Sequence, residues 1–236
     1  MTASRRFSSR VDKIDISGIR KMFEGAGPNA INLGLGQPDF DTPNHIKQAA
    51  IDAIRDGFTG YTMNLGIPEL RDALSIKFKD DNNFEAAPDE IIITSGASEA
   101  LHIALLALVE QGDEVLVPDP GFVSYVSLTD LAGATAVGVP LSKEMTLTPE
   151  NVVESITEKT KVLIINSPSN PTGSVQSRAE MRGLCEVADD HNITIISDEV
   201  YEHFLYSGEH VSSQFTGKNF TSTSSNHIQK LINRRH

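Results

Sequence analysis

The residues of sharpest chemical interest close an apolar run. Residues 193–197, ITIIS, read as a buried strand that delivers Asp198 to its end, with Glu199 beside it and Tyr201 further on. A carboxylate at a buried strand end is costly unless it meets a cation or several donors. A protonated heterocyclic nitrogen would be such a partner; an ion pair or a helix cap is the plainer alternative. Three further groups follow apolar runs in the same way. After IIIT (91–94), Gly96 turns the chain and Ala97 and Ser98 open a helix. Its free N–H groups and dipole suit a phosphate, although Ser98 acting as a cap would give the same letters. After EVLVP (114–118), Phe122 stands past Gly121, placed to stack on a flat ligand or to fill a core. After VLIIN (162–166), Asn170 lies in a turn framed by Pro168, Pro171 and Gly173. Its amide could donate to a ligand oxygen or support its own backbone.

The elements that must position these groups are legible from periodicity. Asn44–Asp56 and Pro68–Phe78 read as helices, the first with Ile46, Ala50, Ile51 and Ile54 on one face, the second with Pro at its first turn. From residue 91 apolar runs alternate with helical periods: strands at 91–94, 114–118, 134–140, 162–168 and 193–199, helices at 97–110, 124–133 and 178–191. That alternation predicts an α/β fold, with a mostly parallel sheet covered by helices on both faces. In such a sheet ligands gather beyond the carboxyl ends of the strands, where all four groups sit. From Val211 the pattern breaks into a polar, basic tail with no strand-like run after Phe215.

Composition excludes several classes. The chain has 236 residues, is 39 % hydrophobic and carries a net charge of −12. It can bury a core, and its acidity argues against nucleic-acid or anionic-membrane partners. A single cysteine, Cys185, excludes an internal disulfide framework and fits a reducing compartment. No apolar run approaches the ~18 residues of a membrane span, and the opening MTASRRFSSRVDK lacks the apolar stretch of a secretory signal. The expectation is a cytoplasmic protein. His45, His102, His191, His203 and His210 are scattered without metal-ligand spacing, so no metal is expected, and Cys185 reads as core. A Rossmann-type nucleotide site fares badly, since SGASEA offers one glycine where three are wanted.

Taken in order, the phosphate-type turn, the aromatic residue, Asn-Pro-Thr-Gly and Asp-Glu-x-Tyr resemble the class I/II aminotransferases, which are fold-type I pyridoxal 5′-phosphate (PLP) enzymes. LGLGQPDFDTP and GYTMNLGIPELRDAL upstream are similar to that family's N-terminal signatures. The resemblance covers roughly residues 10–212 and gives each group a task with the cofactor. It implies that Gly96, Ala97 and Ser98 hold the phosphate and that Phe122 stacks on the pyridine ring. Asn170 and Tyr201 would bond the ring's 3′-oxygen, and Asp198 would pair with the ring N–H. Tyr61 would reach the phosphate of a neighbouring subunit and Gly36 would lie beside the substrate, which implies a homodimer. The reaction implied is transfer of an amino group between an α-amino acid and a 2-oxo acid.

The resemblance also predicts what the chain lacks. The family's reaction needs a lysine that bonds to the cofactor and then moves the α-proton, about thirty residues after the ring-nitrogen aspartate, in a Ser-x-Ser-Lys type of motif. Lys230 falls near that distance, but Gln229 and Leu231 do not match the motif. The following Gly-Trp-Arg segment and the C-terminal small domain with its carboxylate-gripping arginine are not found either. Codons for Asn226–Ile232 read two bases out of frame permit Ser-Tyr-Ser-Lys-Thr-Tyr, so a frameshift shortly before or around residue 220 is one expectation. The organisation expected is an N-terminal arm and loop over 1–43, a partial PLP-binding large domain over 44–212, and a non-family tail over 213–236. A catalytically inactive fragment that holds PLP or a partner subunit without turnover is the alternative to an active enzyme.

Overall fold

The computed structural model describes Ser8, Arg10, Val11, Ile14, Ile31, Gly36, residues 40–213 and, for the backbone, 220–224. Two compact units divide the chain, one formed by Met1–Ile14 with Asn64–His236 and the other by Asp15–Met63. The smaller unit holds helix α1 (Asn44–Arg55), which begins directly after Pro43. Ile46, Ile51 and Ile54 on it are exposed.

The larger unit begins with α2 (Pro68–Asn82), a turn longer than its apolar stripe predicts. The extension has a local cause. Asn83 takes a left-handed conformation, Phe84 N–H donates to Phe78 O at 3.2 Å, and the Phe78 and Phe84 rings stack with centroids 5.0 Å apart. This closure satisfies a terminal carbonyl and adds an apolar contact across the helix end. After a 3₁₀ turn at Pro88–Glu90 the elements alternate: α3 (Ala97–Leu108), β1 (Glu114–Asp119), α4 (Ser124–Ala132), β2 (Thr135–Pro140), α5 (Pro149–Ser155), β3 (Thr160–Asn166), α6 (Arg178–Asp190), β4 (Thr194–Glu199) and β5 (Phe220–Ser224). Gly133, at φ 95°, ends α4 where the sequence places its stop.

All strand pairs are parallel, in the order β2-β1-β3-β4-β5. Along each buried strand, successive side chains go to opposite faces. Leu116, Leu163, Ile165 and Ile195 pack with Met181, Leu184 and Cys185 of α6 and Val152 of α5. Val115, Val117, Val162, Ile164 and Ile196 pack with Leu101 and Leu105 of α3 and Tyr125 of α4. Apolar runs without polar alternation are what a sheet covered on both faces requires. Cys185 is core, as its place on an apolar helical face predicts.

Three expectations change. IIIT (91–94) is not a sheet strand: beyond an isolated bridge at Ile92 it lies outside the ladder. Ile91 packs beside Phe78 and Phe84 and Ile93 N–H donates to Leu65 O at 3.0 Å. A β-branched run becomes a strand only where a neighbour supplies the ladder, and this one is used as packing surface. The fifth strand instead comes from Phe220–Ser224, in the tail read as strand-free; its backbone pairs with β4 from Ile195 to Glu199. Its residues carry no apolar run, so the signal sought there was absent. Lastly, the strand read as 162–168 occupies Thr160–Asn166, since Pro168 has no N–H to continue a ladder. Helix α5 was not read from the sequence at all, although Thr148, whose side chain accepts from Asn151 N–H at 3.2 Å, and Pro149 form a recognisable helix start.

Candidate active site at the carboxyl ends of the strands

Strand order reverses at β1: the chain runs outward from β1 to β2, then returns to β3 on its other side. At such a reversal the connections leave in opposite directions and open a crevice beyond the strand ends. Phe122 follows β1, Asn170 follows β3, and Asp198 is the last residue but one of β4.

These residues form one continuous chain of contacts. Asp198 is 5 % exposed. Its Oδ2 accepts from the Tyr125 hydroxyl at 2.8 Å and its Oδ1 from Val200 N–H at 3.2 Å. Tyr125 in turn meets Phe122 edge to face, centroids 5.6 Å apart and planes at 78°. On the other side, Asn166 pairs in register with Asp198 and its Nδ2 donates to Asp198 O at 2.9 Å. Asn166 Oδ1 accepts from Asn170 N–H at 2.7 Å, and the Asn170 amide reaches the Tyr201 hydroxyl at 3.5 Å. Thus Phe122, Asp198, Asn170 and Tyr201 are brought together, Phe122 through Tyr125 and Asn170 through Asn166. Burial pushes the Tyr125 phenol well above its ordinary pKa, and the neighbouring Asp198 charge adds to the effect. It remains a hydroxyl donor at neutral pH.

Gly96 is the N-cap of α3, at φ 80°, and no side chain caps this helix. Ser98 therefore lies inside the first turn, which removes its reading as the cap. Glu99 accepts from Ser95 N–H, while the N–H groups of Ala97 and Ser98 have no partner among the described residues. A Cβ built at Gly96 meets nothing within 4 Å, so this end of α3 is open. Tyr61 and Gly36 belong to the smaller unit. The Tyr61 side chain is fully exposed and Gly36 has open space around it. Lys230 lies outside the described residues.

Tyr125 and Asn166 were missed by sequence reasoning. Both had a weak signal: Tyr125 lies one helical turn past Phe122, and Asn166 is the polar end of an apolar run. A second buried network adjoins the first. Glu199 accepts from Ser197 Oγ at 2.7 Å and Ser212 Oγ at 2.9 Å, and His210 Nε2 lies 2.8 Å from its other oxygen. Glu202 accepts from Lys77 Nζ and Asn82 Nδ2, each at 2.6 Å. Potential ligand atoms of Glu199, Glu202 and His210 fall within 4.8 Å of one another, but the Lys77 ammonium already supplies positive charge there.

The family model for aminotransferase class I and II matches residues 28–229. The chain belongs to this family. As an aminotransferase-family chain it is 50 % identical over 212 residues to a probable aspartate aminotransferase of Methanocaldococcus jannaschii, covering 89 % of this chain and 56 % of that one. The aspartate aminotransferase of Pyrococcus abyssi is 47 % identical over 204 residues, covering 84 % and 52 %. Among solved structures, Thermus thermophilus aspartate aminotransferase with maleate superposes with a TM-score of 0.87 at 37 % identity, covering 93 % of this chain and 60 % of that one. The chain thus spans a little over half the length of these relatives. Family members use PLP, and the residues here suit it. The buried Asp198 carboxylate suits a cationic ring N–H, Asn170 and Tyr201 offer donors to a ring oxygen, and the Ala97 and Ser98 N–H groups, unpaired among the described residues, suit a phosphate.

Proposed function

We propose that this chain carries the cofactor-binding half of a PLP-dependent aminotransferase that moves an amino group between an α-amino acid and a 2-oxo acid. One observation carries the reading: Asp198, buried at the end of β4, is joined to Phe122 through Tyr125 and to Asn170 through Asn166. When bound, PLP supplies a sink for the negative charge that develops at the substrate α-carbon. Asp198 would hold the proton on the ring nitrogen, Phe122 would fix the plane of the ring, and Asn170 and Tyr201 would bond its 3′-oxygen. Backbone N–H groups of Ala97 and Ser98 would hold the phosphate, with Gly96, whose own N–H donates to Thr94 O at 3.0 Å, turning the chain beside it. Lys230 would carry the α-proton. The relatives' names make aspartate the amino donor to test first.

The exposed Tyr61 ring fits a role toward the phosphate of a second copy, with Gly36 beside the substrate, so the reading includes a homodimer. The domain organisation proposed is an arm and loop over 1–43, the PLP-binding body over 44–212 and a tail over 213–236 that lends β5 to the body's sheet. A cytoplasmic location is proposed with it; among the described residues no helix is long and apolar enough to cross a membrane.

Mixing the protein with PLP, reducing with borohydride and mapping the adduct by mass spectrometry tests the reading. A reduced adduct on Lys230 supports catalysis. Failure to label Lys230 supports the inactive fragment, and no PLP binding at all refutes the cofactor-binding reading.

A further inference from the structure

We propose that Tyr125 is the positioning residue for Asp198, holding its carboxylate in the orientation in which it meets the ring nitrogen of the cofactor. The inference rests on the PLP reading above and adds a residue to it. An aspartate at a strand end has a backbone fixed by the sheet but a side chain free to rotate about two bonds. The backbone of Asp198 is held by its register with Asn166 and by the Asn166 amide on its carbonyl. Its carboxylate is held at Oδ2 by Tyr125, 1 % exposed, through a 2.8 Å hydrogen bond, with Val200 N–H on Oδ1 at the longer 3.2 Å.

The donor suits that work. Tyr125 sits in the first turn of α4, and its ring is packed in the cluster that includes Leu101, Leu105, Val117 and Ile164. A phenol so enclosed has little freedom of its own, so the orientation it imposes is that of the sheet and of α4. A neutral donor also leaves the carboxylate its negative charge, where a cation in the same place would compete with the ring N–H. The same ring touches Phe122 edge to face. One side chain therefore ties the acid that meets the ring nitrogen to the aromatic that meets the ring face.

Equilibrium dialysis of the full chain against two ligands tests this: PLP, and its analogue with carbon in place of the ring nitrogen. Tyr125→Phe is expected to weaken PLP binding roughly tenfold, the scale of one hydrogen bond to a charged group, and to leave the analogue's affinity unchanged. In an Asp198→Asn background the same substitution should have no further effect on PLP. Equal weakening for both ligands, or none, overturns the inference while the PLP reading stands. If the unsubstituted chain takes up neither ligand, both fall. A ligand-free arm covers failure of the phenylalanine variant to fold: ultraviolet titration of the four tyrosines in the unsubstituted chain and in Asp198→Asn. One phenol should titrate at lower pH once Asp198 is neutral, and an unmoved curve overturns the inference.

Discussion

Lys77→Met removes the ammonium from a carboxylate that the fold has buried. The Glu202 side chain is 3 % exposed and Lys77 Nζ lies 2.6 Å from Oε1, with the lysine side chain 23 % exposed. Asn82 Nδ2 holds the other oxygen at 2.6 Å. Without the ammonium the carboxylate keeps its desolvation cost and loses its shortest cationic contact, retaining Asn82 and the exposed His203 ring at 3.6 Å. Removing one member of a buried pair costs ~3–5 kcal/mol, and the partial exposure of Lys77 puts this case at about 3. For a chain of this size the urea dependence is about 3 kcal/mol per molar, so the unfolding midpoint should fall by about 1 M. The loss should be cooperative, because the pair joins α2 to the turn after β4, where Glu202 N–H donates to Glu199 O at 3.0 Å. Tyr201 rides on that turn, so its contact with Asn170 should loosen with it. Urea melts followed by circular dichroism, on Lys77→Met, Glu202→Gln and the double variant, give the coupling energy directly. A midpoint shift below about 0.3 M, or additive single effects, would refute the claim that this ion pair is buried and coupled.

Gly66→Ala should cost about 2 kcal/mol or more in the same melts, because Gly66 is at φ 98° and a Cβ there would stand 2.7 Å from the Cβ of Ile93. Leu163→Ala, at a fully buried position of the central strand, should cost ~2–5 kcal/mol. Ser177→Ala should cost about 1 kcal/mol by removing the cap of α6, whose Ser177 and Glu180 bond reciprocally. Burial raises the Glu180 pKa, but hydrogen bonds from Ser177 and Thr146 outweigh it and leave it below the ordinary glutamate value. A depressed folded pKa stabilises above the unfolded value and is lost as pH falls through the folded one. Thermal melts of Glu180→Gln and the unsubstituted chain should therefore differ at neutral pH and converge as acidification takes the pH below the ordinary glutamate range.

Most of the fold was readable along the chain because a two-sided sheet leaves a one-dimensional trace. Runs such as Val162–Ile165 must be apolar at every position, and Gly133 and Pro68 mark helix ends through backbone geometry that few other residues share. IIIT carried the same trace and is no strand, and Phe220–Ser224 carried none and pairs with β4. Whether a segment joins a ladder depends on which neighbour is in reach, which is a property of three dimensions. The site divides along the same line. Asp198, Phe122, Asn170 and Gly96 declared themselves by residue type at the ends of apolar runs. Tyr125 and Asn166 did not, since a tyrosine in a helix and an asparagine in a strand are ordinary until the strand order brings them onto one aspartate, Tyr125 at its carboxylate and Asn166 at its backbone carbonyl. Local chemistry is written residue by residue, but a hydrogen bond spanning 73 positions of sequence exists only after β1, β3 and β4 lie side by side.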